Sequence, residues 1–512
     1  KKLTSRYNWA KTSGTDYSYA VGAYVGKNSS QLNFSGTGDF SVSGSGSGME
    51  ACTFWSRGNM FVSGGITGTA MATGEQSSSG VAAKATGNGS IEFGGKTTKL
   101  SASSESYTAQ GVLVKNDSGG GTISFGAENT TIESSTSGIF ASVGIDAQYG
   151  QVETSEDTKT GISASARSSS ARGISLAENG KVIVNGDISI TAQALNENPN
   201  SNYSNDATGI YNHDGNSGGG DVHINGKTVI KAESQTSNTN MADSYGIYGG
   251  KNSKTVIDNT VDITAVSPKN AYAVSLGDMF GNTGTISLGV SHGRSTLRAE
   301  SSEGSSYGIY VKSKEGRVAL NGDVSIQSMS QNNASWGIYI YNYYPAYVVS
   351  NNGLDIKANT GIEVDSQNSK VLLYGKTKID SETAIKVNSG ASVTFAYDPT
   401  PINVPKTVTD ADSQVNGSVT GDGNLVKSGS GSLAFNGDNS GFSGLFDILG
   451  GTVFLTDTDA GFFSRAKVSV TSGALIAPVL TFATGGKLAL AGGTLVTNTG
   501  QVFLNALNIA GD

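Results

Sequence analysis

Residues 173–192 read GISLAENGKVIVNGDISITA, and residues 308–326 read GIYVKSKEGRVALNGDVSI. Both open on Gly-Ile, and both carry a short apolar run (Lys181 to Val184, Arg317 to Leu320) followed by an Asn-Gly-Asp step and a second run. Short alternating runs punctuated by Asn, Gly and Ser predict strands joined by tight turns, three to each unit. No segment holds a helical period for the length of an ordinary helix.

The opening phrase recurs. It reads Gly-Ile-Tyr at 209, 246, 308 and 337, and Gly-Val or Gly-Ile at 80, 111, 138, 173 and 361. Ala273-Val274 and Ala384-Ile385 are close variants, and Ala20-Val21 and Cys52-Thr53 are weaker copies. The spacing averages about 30 residues and ranges from 23 to 37. A constant phrase at variable intervals describes a constant coil with variable loops, unlike the fixed period of helical repeats. We therefore expect an all-β chain, a right-handed parallel β-helix with three short strands and about 30 residues per coil. The Val or Ile after the small residue points inward, and so does the residue two further on (Leu176, Leu276, Val311, Ile340, Val364, Val387), since a strand alternates faces. Cys52 is expected in the small-residue slot, as a packed side chain. The Asn- and Ser-rich stretches 195–206 and 234–243 are expected as loops at one edge of the coils.

Composition narrows the function. Of 512 residues 71 are glycine and 7 proline; charged residues make up 15% and the net charge is −8. One cysteine excludes a disulfide framework or a cysteine-rich metal site. An acidic chain with no basic run is a poor nucleic-acid ligand. No apolar stretch is long enough for a membrane helix. Glycine and serine suggest disorder, but 36% of the residues are apolar and alternate with polar ones, which disordered chains lack.

Three of the prolines, Pro399, Pro401 and Pro405, follow the last copy of the phrase and mark a break. The expected organisation is a β-helix over 1–396, a Pro-containing break over 397–420, and a different β-helical segment over 421–512. Beyond the break Gly421, Gly423, Leu425, Lys427, Gly429, Gly431 and Leu433 form a G-x-G-x-L-x-K-x-G-x-G-x-L pattern, followed by Gly-Gly-Thr steps at 450–453 and 492–495. This segment resembles the passenger-associated β-strand repeat of bacterial autotransporters. The resemblance implies a type V secreted passenger, displayed at or released from the cell surface, whose last coils act as an autochaperone. It also implies an outer-membrane β-barrel that this sequence does not contain. The start, Lys1-Lys2-Leu3, carries no apolar signal core, and the chain is expected to be a passenger fragment. A nearly cysteine-free chain suits export in an unfolded state.

The search for chemistry finds little. The G-D-S-G string of protease passengers is missing, since Asp117-Ser118-Gly119 lacks the leading glycine. His213, His223 and His292 form no metal or triad spacing. A β-helix polysaccharide lyase or hydrolase would set acidic side chains together; Asp187, Asp323 and Asp355 are the candidates, and they read as corner residues on coils several steps apart. We expect no enzyme activity, no metal and no cofactor.

Aromatic residues are the remaining signal. Tyr211, Tyr248, Tyr310 and Tyr339 follow the inward isoleucine and face outward, with Phe140 upstream. Tyr245, Tyr307 and Trp336 precede the anchor glycines, and Tyr341, Tyr343, Tyr344 and Tyr347 cluster around Pro345. The contact strip would comprise Tyr211, Tyr248, Tyr310, Tyr339, Trp336, Tyr343 and Tyr344; alternatively the rings are a ladder that stiffens adjacent coils. The chain is expected to act as an adhesin, in self-association between rods or in attachment to a host surface. Binding of a glycan or protein receptor through the aromatic strip is the alternative. At −8, self-association would rest on hydrogen bonds and local patches.

Overall fold

The computed structural model describes residues 2–8, 18–26, 31–45, 49–73, 78–115, 120–195, 205–213, 219–235, 242–277, 284–290, 293–341, 344–399, 408–456, 465–478, 480–481, 486–497, 502–503 and 507–509. The chain divides into two compact units, residues 1–275 with 300–304, and residues 276–299 with 305–512. Each unit is a parallel β-helix. Among the described residues there is no α-helix, only a single 3-10 turn at Val408–Asp410.

In the first unit one coil comprises Ala171–Ala177, Lys181–Val184 and Ile188–Ala194. Each of these strands stacks in parallel on its counterpart one coil later, Ala207–Asn212, Asp221–Ile224 and Thr228–Ser234. The stack of first strands runs from Ser18–Val25 to Ser244–Gly249. Second strands run from Gln31–Phe34 to Lys254–Ile257, and third strands from Lys2–Asn8 to Val261–Ser267.

The core is a set of columns. Val112, Ile145, Ile174, Ile210 and Ile247 lie in register on successive coils, and none is more than 1% exposed. Each buried aliphatic side chain is stabilised by about 1.5–3 kcal/mol. The glycine just before each of them is needed because the chain bends there against the third strand. A Cβ on Gly173 would stand 2.1 Å from Ile190 Cγ2, and one on Gly209 2.2 Å from Ile230 Cγ2. The fourth-column residues Leu176, Leu276, Val311, Ile340, Val364 and Val387 are all buried as expected.

The register corrects four of the sequence-based assignments. Ile139 is 42% exposed and precedes its strand; the anchor of that coil is Gly144-Ile145 in Ser142–Gln148. In the earliest coils the inward column is Ala23, Phe54 and Ala83, two residues after Val21 and Val81. Cys52 therefore sits one residue before the small-residue slot, which Thr53 occupies, and packs instead with Val81 and Leu113.

In the second unit three-strand coils begin likewise, as in Ser306–Lys312, Arg317–Leu320 and Asp323–Ser330. From Leu354 the third strand fuses with the next first strand into one strand, Leu354–Val364 and again Thr377–Val387. After Ser413–Thr420 the coils carry two strands, not three: Asn424–Lys427 with Ser432–Phe435, Leu445–Ile448 with Thr452–Leu455, and Lys467–Val470 with Ala474–Ala477. These stack directly on the preceding coils, Ser392–Phe395 on Asn424–Lys427 and Ser413–Thr420 on Ser432–Phe435. Residues 400–407, which include Pro401 and Pro405, lie outside the described residues.

Lys427, of the repeat-like motif, occupies an inner column between Phe395 and Ile448 and is only 1% exposed. Its ammonium donates to the carbonyls of Ser428 (2.7 Å), Gly429 (2.8 Å) and Gly450 (3.4 Å), where the chain turns. Burial lowers its pKa to about 8.

Candidate functional site

The bend at the small residue has a consequence on the outer surface. In Ser244–Gly249 both Gly246 and Ile247 are buried, while Tyr245 before them and Tyr248 after them project outward. The chain folds toward these two side chains, so they converge, with ring centroids 5.4 Å apart. Repeated along the stacked first strands, two outer columns face each other across a groove.

In the first unit the column before the bend reads Val21, Cys52, Val81, Gln110, Val143, Arg172, Thr208 and Tyr245. The column after it reads Tyr24, Trp55, Lys84, Leu113, Asp146, Ser175, Tyr211 and Tyr248. At its start Lys84 lies over the Trp55 ring at 4.7 Å and donates to both carboxylate oxygens of Glu50 (2.7 and 2.8 Å). Further on Tyr211 stacks on Tyr248 at 5.3 Å and Tyr245 on Tyr272 at 4.8 Å. The Tyr245 hydroxyl donates to Asp243 at 3.1 Å, and burial holds it well above the usual phenol range.

The second unit carries the same pair of columns. Tyr307, Trp336 and Thr360 precede the bend; Tyr310, Tyr339, Glu363 and Lys386 follow it. Trp336 stacks on Tyr307 at 4.9 Å and donates through Nε1 to Glu363 Oε2 at 2.6 Å. Lys386 reaches the other oxygen of Glu363 at 2.5 Å. The Tyr339 hydroxyl donates to Asp365 at 2.9 Å. Burial raises the pKa of both Tyr310 and Tyr339.

Of the residues singled out in the sequence, Tyr211 and Tyr248 share one groove segment, and Tyr310, Tyr339 and Trp336 share another. Tyr344 is apart from these pairs, 37% exposed, and Tyr343 lies outside the described residues. Phe140 is not in the column; it is 41% exposed and rests on Tyr107 at 4.1 Å. Tyr211 on Tyr248, Tyr245 on Tyr272 and Tyr307 on Trp336 lie face to face along the coils, as a ladder would, whereas Tyr310 and Tyr339 are tilted by 57°.

The acidic candidates resolve differently. Asp187 Oδ1 accepts from the Lys227 amide and Asp323 Oδ1 from the Gly353 amide, both at 2.9 Å, so each braces a corner. Asp323 and Asp355 are not several coils apart: Ser325 pairs with Asp355, which places them on neighbouring coils. Arg294, Lys376 and Lys378 line the same shallow cleft. His223 pairs with Asp258 at 2.6 Å on an exposed face; His292 lies outside the described residues. Among the described residues no group of three or more His, Cys, Asp or Glu could hold a metal.

Sequence reasoning missed the polar members of the groove: Gln110, Asp146 and Arg172. Asp146 is 6% exposed and accepts from Gln110 Nε2 at 2.7 Å and from Gln148 Nε2 at 3.1–3.2 Å. Burial raises its pKa despite those bonds. Its signal was positional, since it follows the inward Ile145 as Tyr211 follows Ile210.

No family model, curated protein or solved structure matches the chain.

Proposed function

We propose that this chain is the exported passenger of an autotransporter and works at the cell surface as a non-enzymatic adhesin, holding cells together through association of like chains. The observation that carries this reading is the outer face of the third strands in the first unit. On Thr97–Ser104, Asn129–Thr136, Lys159–Ala166 and Ile188–Ala194 burial alternates residue by residue. The outward positions are mostly polar and in register, as in Ser101–Glu133–Ser163–Thr191. Many small hydrogen-bonding groups on one lattice suit contacts that are weak singly and strong in number. The resemblance of residues 421–456 to the passenger-associated repeat supports the export route and the cell-surface location.

Sedimentation of the purified chain over a wide concentration range tests this. Concentration-dependent assembly is expected, and Ser101→Asp with Ser163→Asp should raise the dissociation constant about tenfold by setting like charges opposite one another. A strict monomer at high concentration would sink the self-association reading and direct attention to a heterologous target. Tyr310→Ala and Tyr339→Ala should leave assembly unchanged, because those rings serve the coil-to-coil ladder.

A further inference from the structure

Charged side chains of the outer columns are held at Lys84 by Glu50 in the first unit, and at Glu363 by Lys386 and Trp336 in the second. Arg172 differs: its charge acts on the nearby Asp146, but no ion pair joins the two among the described residues. It is half-buried and its guanidinium carbon lies over the Tyr211 ring, 3.9 Å from the centroid, yet its N–H groups have no acceptor among the described residues. A guanidinium held against an aromatic ring loses less freedom when its fork makes a two-pronged contact with a planar anion.

The surroundings say which anion. Arg172 lines a bay of about 450 Å³, within the range that holds small organic ligands. Its walls differ. Phe140 and Ile139, 41% and 42% exposed, form an apolar lip, and Val143 lies beneath it. Asp146 stands one coil before Arg172 on the opposite column, fixed by Gln110 and Gln148. A carboxylate bonded by two amides still has lone pairs to accept from a hydroxyl. An inorganic anion would make no use of the apolar lip and has no hydroxyl to donate to Asp146.

We propose that the bay binds a carboxylate-bearing sugar, its acid group on Arg172, a ring hydroxyl on Asp146 and a C–H face on the Phe140 lip. The site is independent of self-association, because the third-strand face is a different surface of the coil.

The test uses the whole chain and saturation-transfer NMR with titration. The probes are D-glucuronate, D-galacturonate and N-acetylneuraminate, with D-glucose as a neutral sugar and acetate as an acid without a ring. At least one acid sugar should bind ten times more tightly than both controls. Arg172→Gln should lower that affinity tenfold or more, and Arg172→Lys should recover only part of it, having charge but no fork. Asp146→Asn should weaken the acid sugar and leave acetate unchanged. Equal binding of acetate would reduce the site to a simple anion contact, and equal binding of glucose would remove the role of Arg172; either outcome overturns the proposal, as does no binding of any acid sugar. The wild-type comparison decides this even if a groove variant fails to fold, and Phe140→Ala on the exposed lip gives a second variant, expected to lose about threefold. Ser101→Asp with Ser163→Asp should leave sugar binding intact.

Discussion

The three-strand coils of residues 109–267 and the two-strand coils after residue 424 turn their corners by different means. In the first region the left-handed corner residues include Tyr149, Glu178, Asn179 and Asn252, with φ between 52° and 66°. In the second they are Gly429, Gly451, Gly473 and Gly492, with φ from 70° to 117°. A side chain in the left-handed region costs about 1–2 kcal/mol, and glycine escapes that cost. The two-strand coil also has less wall per turn, and Phe435, Phe442 and Phe446 fill its centre, all fully buried. A coil with three walls tolerates strained corners and offers a groove; a coil with two needs glycine at the corner and large residues within.

The largest effect should come from placing a side chain at a two-strand corner. In Gly451→Val the Cβ would stand 2.2 Å from the Gly431 carbonyl oxygen at φ +70°. A loss above about 3 kcal/mol is expected, seen as loss of amide-exchange protection over residues 424–477. Its counterpart, Gly87→Asn at a corner of an earlier three-strand coil, has a left-handed φ but open space around it. It should change stability by about 0.5 kcal/mol or less. Equal losses at the two corners would remove the contrast.

Lys427→Met is next. Methionine fills the column but cannot donate, so the carbonyls of Ser428 and Gly429 lose a partner at about 1–3 kcal/mol. The wild type adds a pH signature. The amine has a folded pKa near 8 against 10.5 when unperturbed, so between those values the unfolded chain holds the extra proton. Stability of this region should therefore rise from pH 8 to 10.5. Chemical denaturation across that window should find the rise in the wild type and not in Lys427→Met.

Tyr339→Phe removes the bond to Asp365 while keeping the ring stack, and should cost about 0.5–1.5 kcal/mol by thermal unfolding. The smallest effect is at Cys52. The thiol is fully buried and burial pushes its pKa up, so a thiol reagent should leave it unlabelled in the folded chain and label it in urea. Rapid labelling without denaturant would show that the early coils open readily.

How far the sequence could be read depended on which side of the coil wall a residue occupies. Inward columns repeat because every coil must fill the same volume, so Ile174, Ile210 and Ile247 stand out. Register failed where the inward residue was small or unusual. Ala23, Phe54 and Ala83 break the aliphatic rule, while Val21 and Val81 nearby imitate it. Gly138-Ile139 imitated it too, six residues before the true pair Gly144-Ile145. Outward residues answer to no packing rule, so the convergence of Asp146 and Arg172 could not be read before the bend was known. The shift to two strands was visible only as a change of texture, because glycine spacing does not say how many walls a coil has.

The fused strands Leu354–Val364 and Thr377–Val387 pair residue for residue, Leu354 with Thr377 through Val364 with Val387. That pairing gives this stretch a translational symmetry. Excising residues 354–376 would bring Thr377 to the place of Leu354 opposite Val324, and Ser392 to that of Lys370 opposite Tyr347. Every hydrogen-bonded row would close again with an isoleucine, Ile379 for Ile356, in the same inward column. Material can be subtracted here a whole coil at a time without a seam, and the length of such a chain is free to drift while its cross-section is not.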